Sequence, residues 1–123
     1  MWPWKPRPPC TTGQQAEDTA AKHLRRKGYR ILERNVRAGR YEIDIIARDG
    51  DTLVFVEVRS RTADDGILPE DSIRAVKQEH CRRAAQAYLA RLEGPTPYAR
   101  IDVVSVVMLP GEKPRITHFE NAF

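Results

Sequence analysis

The sequence is poor in cysteine and contains no long apolar run. Its two cysteines, Cys10 and Cys81, lie far apart, which excludes a disulfide framework and a zinc site built from closely spaced cysteine pairs. No stretch approaches the roughly 18 apolar residues needed to cross a bilayer, so we expect no membrane-spanning helix. The first residues, MWPWKPRPPC, contain no apolar segment of a secretory signal, and we expect a protein of the reducing cytoplasm.

The chain has enough apolar sequence for one domain. It contains 123 residues, of which 41% are hydrophobic and 31% are charged. Residues 1–12 include four prolines and two tryptophans, and the prolines disfavour both a helix and a central strand. We therefore predict a flexible Pro/Trp-rich tail over residues 1–12 and a single domain over residues 13–123.

Hydrophobic periodicity and turn residues predict an α/β fold. Helices are expected over 13–27 and 70–92, and strands over 29–36, 41–47, 52–60, 101–109 and 115–119. The first helix should bury a stripe of small residues, which are Ala16, Ala20, Ala21 and Leu24. The second should turn another apolar set inward, which is Ile73, Val76, Ala84, Tyr88, Leu89 and Leu92. The strand at 101–109 is almost continuously apolar, so both of its faces should be buried.

Positive charge is concentrated in one segment. The formal net charge is +4, but residues 22–40 contain eight basic residues and one acidic residue. Clustered positive charge binds polyanions because each neutralised phosphate releases condensed counterions. A solvated helix face and loop is the alternative interpretation. The residues proposed to contact nucleic acid are Lys22, Arg25, Arg26, Arg34, Arg37, Arg40 and, on the second helix, Lys77.

The strongest local signal is a hairpin around Asp49-Gly50, between two apolar runs. Glu42 and Asp44 share one face of the first strand, and Glu57 and Arg59 share one face of the second. Two registers are open. A loop of residues 49–50 places Glu57 opposite Glu42, whereas a loop of residues 50–51 places Glu57 opposite Asp44.

Carboxylates this close together repel one another. A divalent cation with oxygen ligands would offset the repulsion, and carboxylates with water suit magnesium. Arg59 alone could also offset it, and a solvated network of ion pairs is the structural alternative. A second acid, Asp102, follows Arg100 by two residues in the apolar strand, where an ion pair is favoured over a further metal ligand.

These motifs resemble those of a known family. E-x-D on one strand, followed by E-x-R on the next, is similar to the PD-(D/E)xK nuclease motif of restriction-endonuclease-like proteins. The resemblance is closer still to the YraN-like family of small bacterial proteins. It extends over about 110 residues, through GYRILERN (28–35), EIDIIA (42–47), FVEV (55–58), RIDVV (100–104) and NAF (121–123).

The resemblance implies a restriction-endonuclease-like fold with a central mixed sheet flanked by helices. It implies metal-dependent cleavage of DNA phosphodiesters, with branched or nicked DNA as candidate substrates. Asp44 and Glu57, joined by Glu17 from the first helix, would hold Mg²⁺ or Mn²⁺, and the catalytic residues would be Asp44, Glu57, Arg59 and Glu42. Such a cation lowers the pKa of a bound water and screens the charge of the phosphate.

The sequence departs from the family pattern at two positions. Tyr41 stands before Glu42, where the family usually has glycine, and Arg59 takes the place of the motif lysine. Because arginine stays charged, it can stabilise negative charge but cannot act as a base, which predicts weak or absent cleavage. Two other functions therefore remain open: a catalytically silent nucleic-acid-binding protein, and a protein-interaction module that docks through its tail.

Overall fold

The computed structural model describes residues 12–61 and 75–123 of the chain. In this part of the chain the elements are α1 (Thr12–Arg26), β1 (Arg30–Ala38), β2 (Tyr41–Asp49), β3 (Thr52–Arg61), α2 (Ala75–Arg91), β4 (Tyr98–Val107) and β5 (Arg115–Phe119). The strands form one sheet in the order β1-β2-β3-β4-β5. Only the β3–β4 pair is parallel among these neighbours. The predicted α/β class with a mixed sheet is confirmed.

Helix α1 packs against one face of the sheet through the predicted stripe of small residues. Ala16, Ala20 and Leu24 are fully buried, and they join a core that includes Ile45 and Val56. Alanine side chains allow the helix backbone to approach the strands closely. The helix ends before Gly28, whose φ of 93° is a left-handed conformation that favours glycine. The predicted helix is therefore confirmed within one residue at each end.

The hairpin of β2 and β3 adopts the second of the two predicted registers. Asp49 pairs with Thr52, and the pairing runs on to Ile45 opposite Val56. The two-residue loop is Gly50-Asp51, and Gly50 has a φ of 59°. Continued by one residue on each strand, this register places Asp44 opposite Glu57.

Strand β4 lies parallel to β3 and is buried from Ile101 to Val107, as predicted. Helix α2 connects the two strands and covers the other face of the sheet, where Ala84 and Ala85 are buried. The predicted inward orientation is wrong at Val76 and at Leu92, which are 68% and 39% exposed. The helix is rotated about its axis so that the face that contacts the sheet contains Ala84 and Ala85 but not Val76.

Several predictions fall outside the described residues. These are the tail over residues 1–11, the loop after β3, and the start of the second helix with Ile73. Thr12, which the prediction assigned to the tail, is the first residue of α1. In the two described ranges no helix is both long and apolar enough to cross a membrane.

A buried ionic cluster holds the edge of the sheet formed by β4 and β5. The carboxylate of Asp102 is fully buried and accepts hydrogen bonds from Arg100 Nε at 3.0 Å, His118 Nε2 at 2.7 Å and the backbone N–H of Asn121 at 2.9 Å. The structural ion pair predicted for Asp102 is confirmed. Burial pushes the pKa of Asp102 upward, but these hydrogen bonds outweigh burial and hold it below its ordinary value.

We predict that Asp102→Asn lowers the free energy of unfolding at pH 7 by about 3–5 kcal/mol, because it breaks a buried ion pair on one side. Since the folded pKa is lowered, the stabilisation is present above the ordinary pKa of 3.8 and is lost as pH falls through the folded pKa. Urea unfolding of both proteins across acidic and neutral pH measures this. Asp51→Asn, at an exposed turn position, is the control, and equal midpoints for Asp102→Asn and the wild type would contradict the prediction.

Candidate functional site

The candidate site lies where β2 and β3 stop pairing with each other. Beyond the Ile45–Val56 pair, the backbone N–H of Val58 donates to Asp44 Oδ2 at 2.8 Å. The Asp44 carboxylate therefore replaces a backbone acceptor of the neighbouring strand. This hydrogen bond fixes one carboxylate oxygen of Asp44 at the opening of the hairpin.

Glu57 is held from above by helix α2. Its side chain is 7% exposed, and Lys77 Nζ lies 3.3 Å from Glu57 Oε1. The Cys81 thiol donates to Glu57 Oε2 at 3.9 Å. Lys77 and Cys81 are four residues apart, so one face of the helix carries both to the same carboxylate. Burial and the charge of Glu57 raise the pKa of Cys81 to about 12, and the thiol therefore remains a donor.

The two carboxyl groups of the site strongly perturb each other. Burial, followed by the charge of Asp44, raises the pKa of Glu57 to about 7. Burial also raises the pKa of Asp44, against the hydrogen bonds that it receives from Val58 and Glu57. The pair therefore tends to retain a proton below about pH 7 and to lose it as the pH rises through that value.

Glu17 approaches this pair from α1 on the other side of the sheet. Burial and then the charge of Asp44 raise the pKa of Glu17, and its Oε1 atom is buried without a hydrogen-bond partner. The nearest cation is Arg34, whose guanidinium lies 3.8 Å from Glu17 Oε1 and 2.7 Å from Asp18 Oδ1. Arg34, which the sequence assigned to nucleic-acid binding, is therefore engaged by two acids of α1.

The remaining predicted site residues occupy different surroundings. Glu42 is exposed and lies in register with Arg37 of β1. Its charge raises the pKa of Asp44, but less than burial does. Arg59 lies two residues beyond Glu57 and is in register with Ser105 of β4. Lys77 is the cation with the largest effect on the pKa of both Asp44 and Glu57.

The basic residues of α1 lie on its solvent side. Lys22, Arg25 and Arg26 are exposed and share one helix face, opposite the buried alanines. Arg37 and Arg40, near and in the turn after β1, are also exposed. Lys77 and Arg34 differ from these exposed members of the predicted set, since Lys77 contacts Glu57 and Arg34 lies beside Glu17.

Sequence reasoning missed the roles of Lys77 and Cys81. It took Lys77 as a phosphate contact on a helix that turns Val76 inward, and it gave Cys81 no contact with a carboxylate. The available signal was the spacing of Lys77, Cys81, Ala84 and Tyr88, which places all four on one face. The structure turns this face toward the sheet, where Cys81 and Tyr88 pack beside buried Ala84.

The donor set of the site is compatible with a hard divalent cation. Asp44 and Glu57 supply carboxylate oxygens that touch each other and repel when both are ionised, and Mg²⁺ is typically bound through one or two carboxylates and several waters. Over residues 12–61 and 75–123, no three His, Cys, Asp or Glu side chains form a group that could hold a metal. The predicted three-carboxylate group of Asp44, Glu57 and Glu17 is therefore not formed, and a cation would be held by Asp44 and Glu57 without Glu17.

Comparison with known proteins shows a family resemblance over nearly the whole chain. The model of the uncharacterised protein family UPF0102 matches residues 16–106. UPF0102 protein GSU0650 of Geobacter sulfurreducens is 46% identical over 111 residues, which cover 90% of this chain and 87% of the relative. UPF0102 protein STH1475 of Symbiobacterium thermophilum is 44% identical, with 90% and 94% covered. UPF0102 protein CT2262 of Chlorobaculum tepidum is 43% identical, with 91% and 87% covered.

We predict that Glu57→Gln stabilises the protein at pH 8 by roughly 1–3 kcal/mol, because it removes a buried charge beside Asp44. The folded pKa of about 7 lies above the ordinary 4.5, so the folded state binds more protons between these values. Wild-type stability should therefore fall as pH rises from about 4.5 to 7, and the variant should lose this dependence.

Urea unfolding in the presence of a chelator, at pH 5 and pH 8, measures the effect. Glu93→Gln, at an exposed position just beyond α2, is the matched control and should change stability little at either pH. An equal difference between Glu57→Gln and the wild type at both pH values would contradict the prediction.

Proposed function

Because the chain belongs to the uncharacterised protein family UPF0102, we propose its function from the site itself: a metal-dependent phosphodiester hydrolase that acts on DNA. The observation that carries this proposal is the pairing of half-buried Asp44 with buried Glu57, with the Lys77 ammonium 3.3 Å from Glu57. Buried carboxylates cost stability. Two of them kept close together at the end of a hairpin are therefore typical of a functional site.

The arrangement of elements supports the restriction-endonuclease-like fold that the sequence resemblance implies. An acidic hairpin, β2–β3, is followed by a helix and then by β4, which lies parallel to β3. Both acids lie at the open end of this hairpin, with a helix on each face of the sheet. We therefore include the restriction-endonuclease-like fold in the proposal, with the nuclease site at the open end of the β2–β3 hairpin.

In the proposed reaction, Asp44 and Glu57 hold Mg²⁺ or Mn²⁺. When bound, the cation lowers the pKa of a water and screens negative charge on the phosphate. The Val58 N–H fixes one Asp44 oxygen and leaves the other available as a ligand. The Cys81 thiol donates to Glu57 Oε2 and the Lys77 ammonium lies beside Oε1, so helix α2 orients both oxygens of Glu57.

Lys77 supplies the amine that the motif position lacks. Arg59 stands where the resemblance expects lysine, and a guanidinium does not titrate in proteins. Lys77 reaches the same carboxylate from α2, and its side chain is 43% exposed, so a phosphate can approach it. We assign to its ammonium the stabilisation of charge that develops on a non-bridging phosphate oxygen during hydrolysis.

DNA is the proposed partner because of the exposed basic face of α1. Lys22, Arg25 and Arg26 project from the helix that also carries Glu17. An exposed basic face attracts a polyanion to the molecule and offsets part of the repulsion from the acids of the site. We propose branched or nicked DNA as the substrate. We also propose that the protein acts in the cytoplasm.

The second candidate is a nucleic-acid-binding protein without cleavage activity. The observation that favours it is again the ion pair of Lys77 and Glu57, because an ammonium already neutralises part of the acidic charge. In that case the fold and the basic face would be retained while the carboxylates bind no cation. A calorimetric titration with Mg²⁺ or Mn²⁺ distinguishes the two candidates, because only the hydrolase requires the carboxylates to bind a cation.

We predict cleavage of plasmid or branched DNA with Mg²⁺ or Mn²⁺ and none with chelator. Asp44→Asn should abolish it, and Lys77→Met should reduce its rate about 100-fold, the usual effect of losing one preorganised donor. Rate measurements on both variants test the assignment. Lys113→Met, an exposed lysine far along the chain, is the matched control for charge.

A rescue experiment tests which position supplies the amine. Arg59→Lys in the Lys77→Met background should recover part of the lost rate, since it returns lysine to the motif position. Metal-dependent cleavage that persists in Asp44→Asn would overturn the proposed site. DNA binding without cleavage, together with no metal binding by calorimetry, would favour the second candidate.

We predict that Lys22→Ala with Arg26→Ala weakens duplex DNA binding and lowers the slope of log K against log salt. The slope should change by about 2, because each lost phosphate contact contributes roughly 0.9. Fluorescence anisotropy at several salt concentrations measures it. The control pair, Arg48→Ala with Lys113→Ala, removes the same charge from an exposed position of β2 and an exposed position of the connection between β4 and β5. An unchanged slope in the α1 pair would show that this face is merely solvated.

A further inference from the structure

A pocket of about 450 Å³ opens beside the candidate site, between the start of β2 and the start of α2. It is lined by Tyr41, Ala75, Val76, Glu79, His80 and Arg83. None of these residues belongs to the carboxylate site, and the proposed hydrolysis uses none of them. The pocket therefore needs an explanation of its own.

One wall of the pocket is a pair of stacked rings. The Tyr41 and His80 rings are 4.4 Å apart with an interplanar angle of 19°. Val76, which is 68% exposed, adds an apolar side chain to the lining. Flat aromatic surface with an exposed apolar neighbour is suited to a planar ligand, because stacking buries a large area at small entropic cost.

Another part of the lining carries opposite charges. Arg83 Nε donates to Glu79 Oε1 at 3.0 Å, and both side chains are more than half exposed. Together they present carboxylate acceptors and guanidinium donors next to the aromatic wall. A nucleobase offers both donors and acceptors on its edge, so this pair can hydrogen-bond to a base that stacks on the rings.

The pocket is adjacent to the reacting end of the site. On α2, His80 lies between Lys77 and Cys81 in sequence, and Lys77 and Cys81 both contact Glu57. Tyr41 precedes Asp44 by three residues on β2, a spacing of about 10 Å along a strand. A nucleic-acid strand whose phosphate lies at Asp44 and Glu57 can therefore place a neighbouring base in the pocket.

We propose that this pocket receives one unpaired nucleobase, stacked on the Tyr41–His80 pair, and that it directs the protein to DNA with unpaired nucleotides next to the bound phosphate. This inference rests on the proposed function, since it names the substrate class of the same site. Bases inside a duplex are already stacked on their neighbours, so only a single strand, a flap or a flipped nucleotide can enter. Branched DNA meets this requirement where its strands separate.

The experiment uses the full chain and DNA that contains 2-aminopurine, whose fluorescence is quenched by stacking. The probe is placed in a single-stranded oligonucleotide, a flap and a fully paired duplex, all in chelator so that no cleavage occurs. We expect quenching with the single strand and the flap, and none with the duplex. Tyr41→Leu should remove the quenching and weaken single-strand affinity about tenfold, while Tyr41→Phe should retain both.

A second variant keeps the test decisive if Tyr41→Leu fails to fold. Val76→Glu changes an exposed side chain in the pocket and should also remove the quenching. Gln86→Glu adds the same charge at an exposed position ten residues further along the chain and is its control. Quenching that survives both Tyr41→Leu and Val76→Glu, or equal quenching by the duplex, would overturn the inference.

The outcomes separate this inference from the proposed function. If cleavage depends on Asp44 but Tyr41→Leu cleaves flaps and duplexes as the wild type does, the pocket has no role and the hydrolase remains. If the pocket quenches 2-aminopurine but no metal supports cleavage, the base site is established and the hydrolase is overturned.

Discussion

Two carboxyl groups, those of Asp44 and Glu57, meet in a space that excludes much of the water that would solvate them. Their repulsion is offset by the backbone N–H of Val58, which donates to Asp44, and by the ammonium of Lys77 beside Glu57. Each contribution needs an element in a fixed position: the open end of the β2–β3 hairpin for the first, and the orientation of α2 for the second. The carboxyl pair thus links the fold to the chemistry proposed for it.

The buried acid on the opposite face of the sheet, Asp102, differs from Glu57 in its hydrogen-bond partners and in the direction of its pKa shift. Asp102 is in register with Val56, one residue before Glu57, so the two acids point to opposite faces. Arg100, His118 and the Asn121 N–H satisfy Asp102 completely and hold its pKa low, whereas the partners of Glu57 leave its pKa raised to about 7. A saturated carboxylate stabilises the fold, and an unsaturated one retains the capacity to bind a ligand.

Much of the architecture could be predicted because its signals are local. Asp49-Gly50 between alternating apolar residues identified the hairpin, and the small residues of α1 identified the face that packs on the sheet. The orientation of α2 could not be predicted in the same way. Its apolar residues, Val76, Ala84 and Leu89 among them, are spread around the helix, so local hydrophobicity favours no single face.

The sequence by itself determined the element types, the order of the strands along the chain, and the four charged residues of the hairpin. It left two registers open because both place Glu57 on the same face as Asp44 and satisfy the hydrophobic pattern. Only the tertiary structure decided the register that ends at Ile45 opposite Val56, with Asp44 and Glu57 next along the strands, and that Lys77 rather than Val76 turns toward the sheet. The reason is physical: a buried carboxylate pair requires a nearby cation, and that requirement acts between residues distant in sequence.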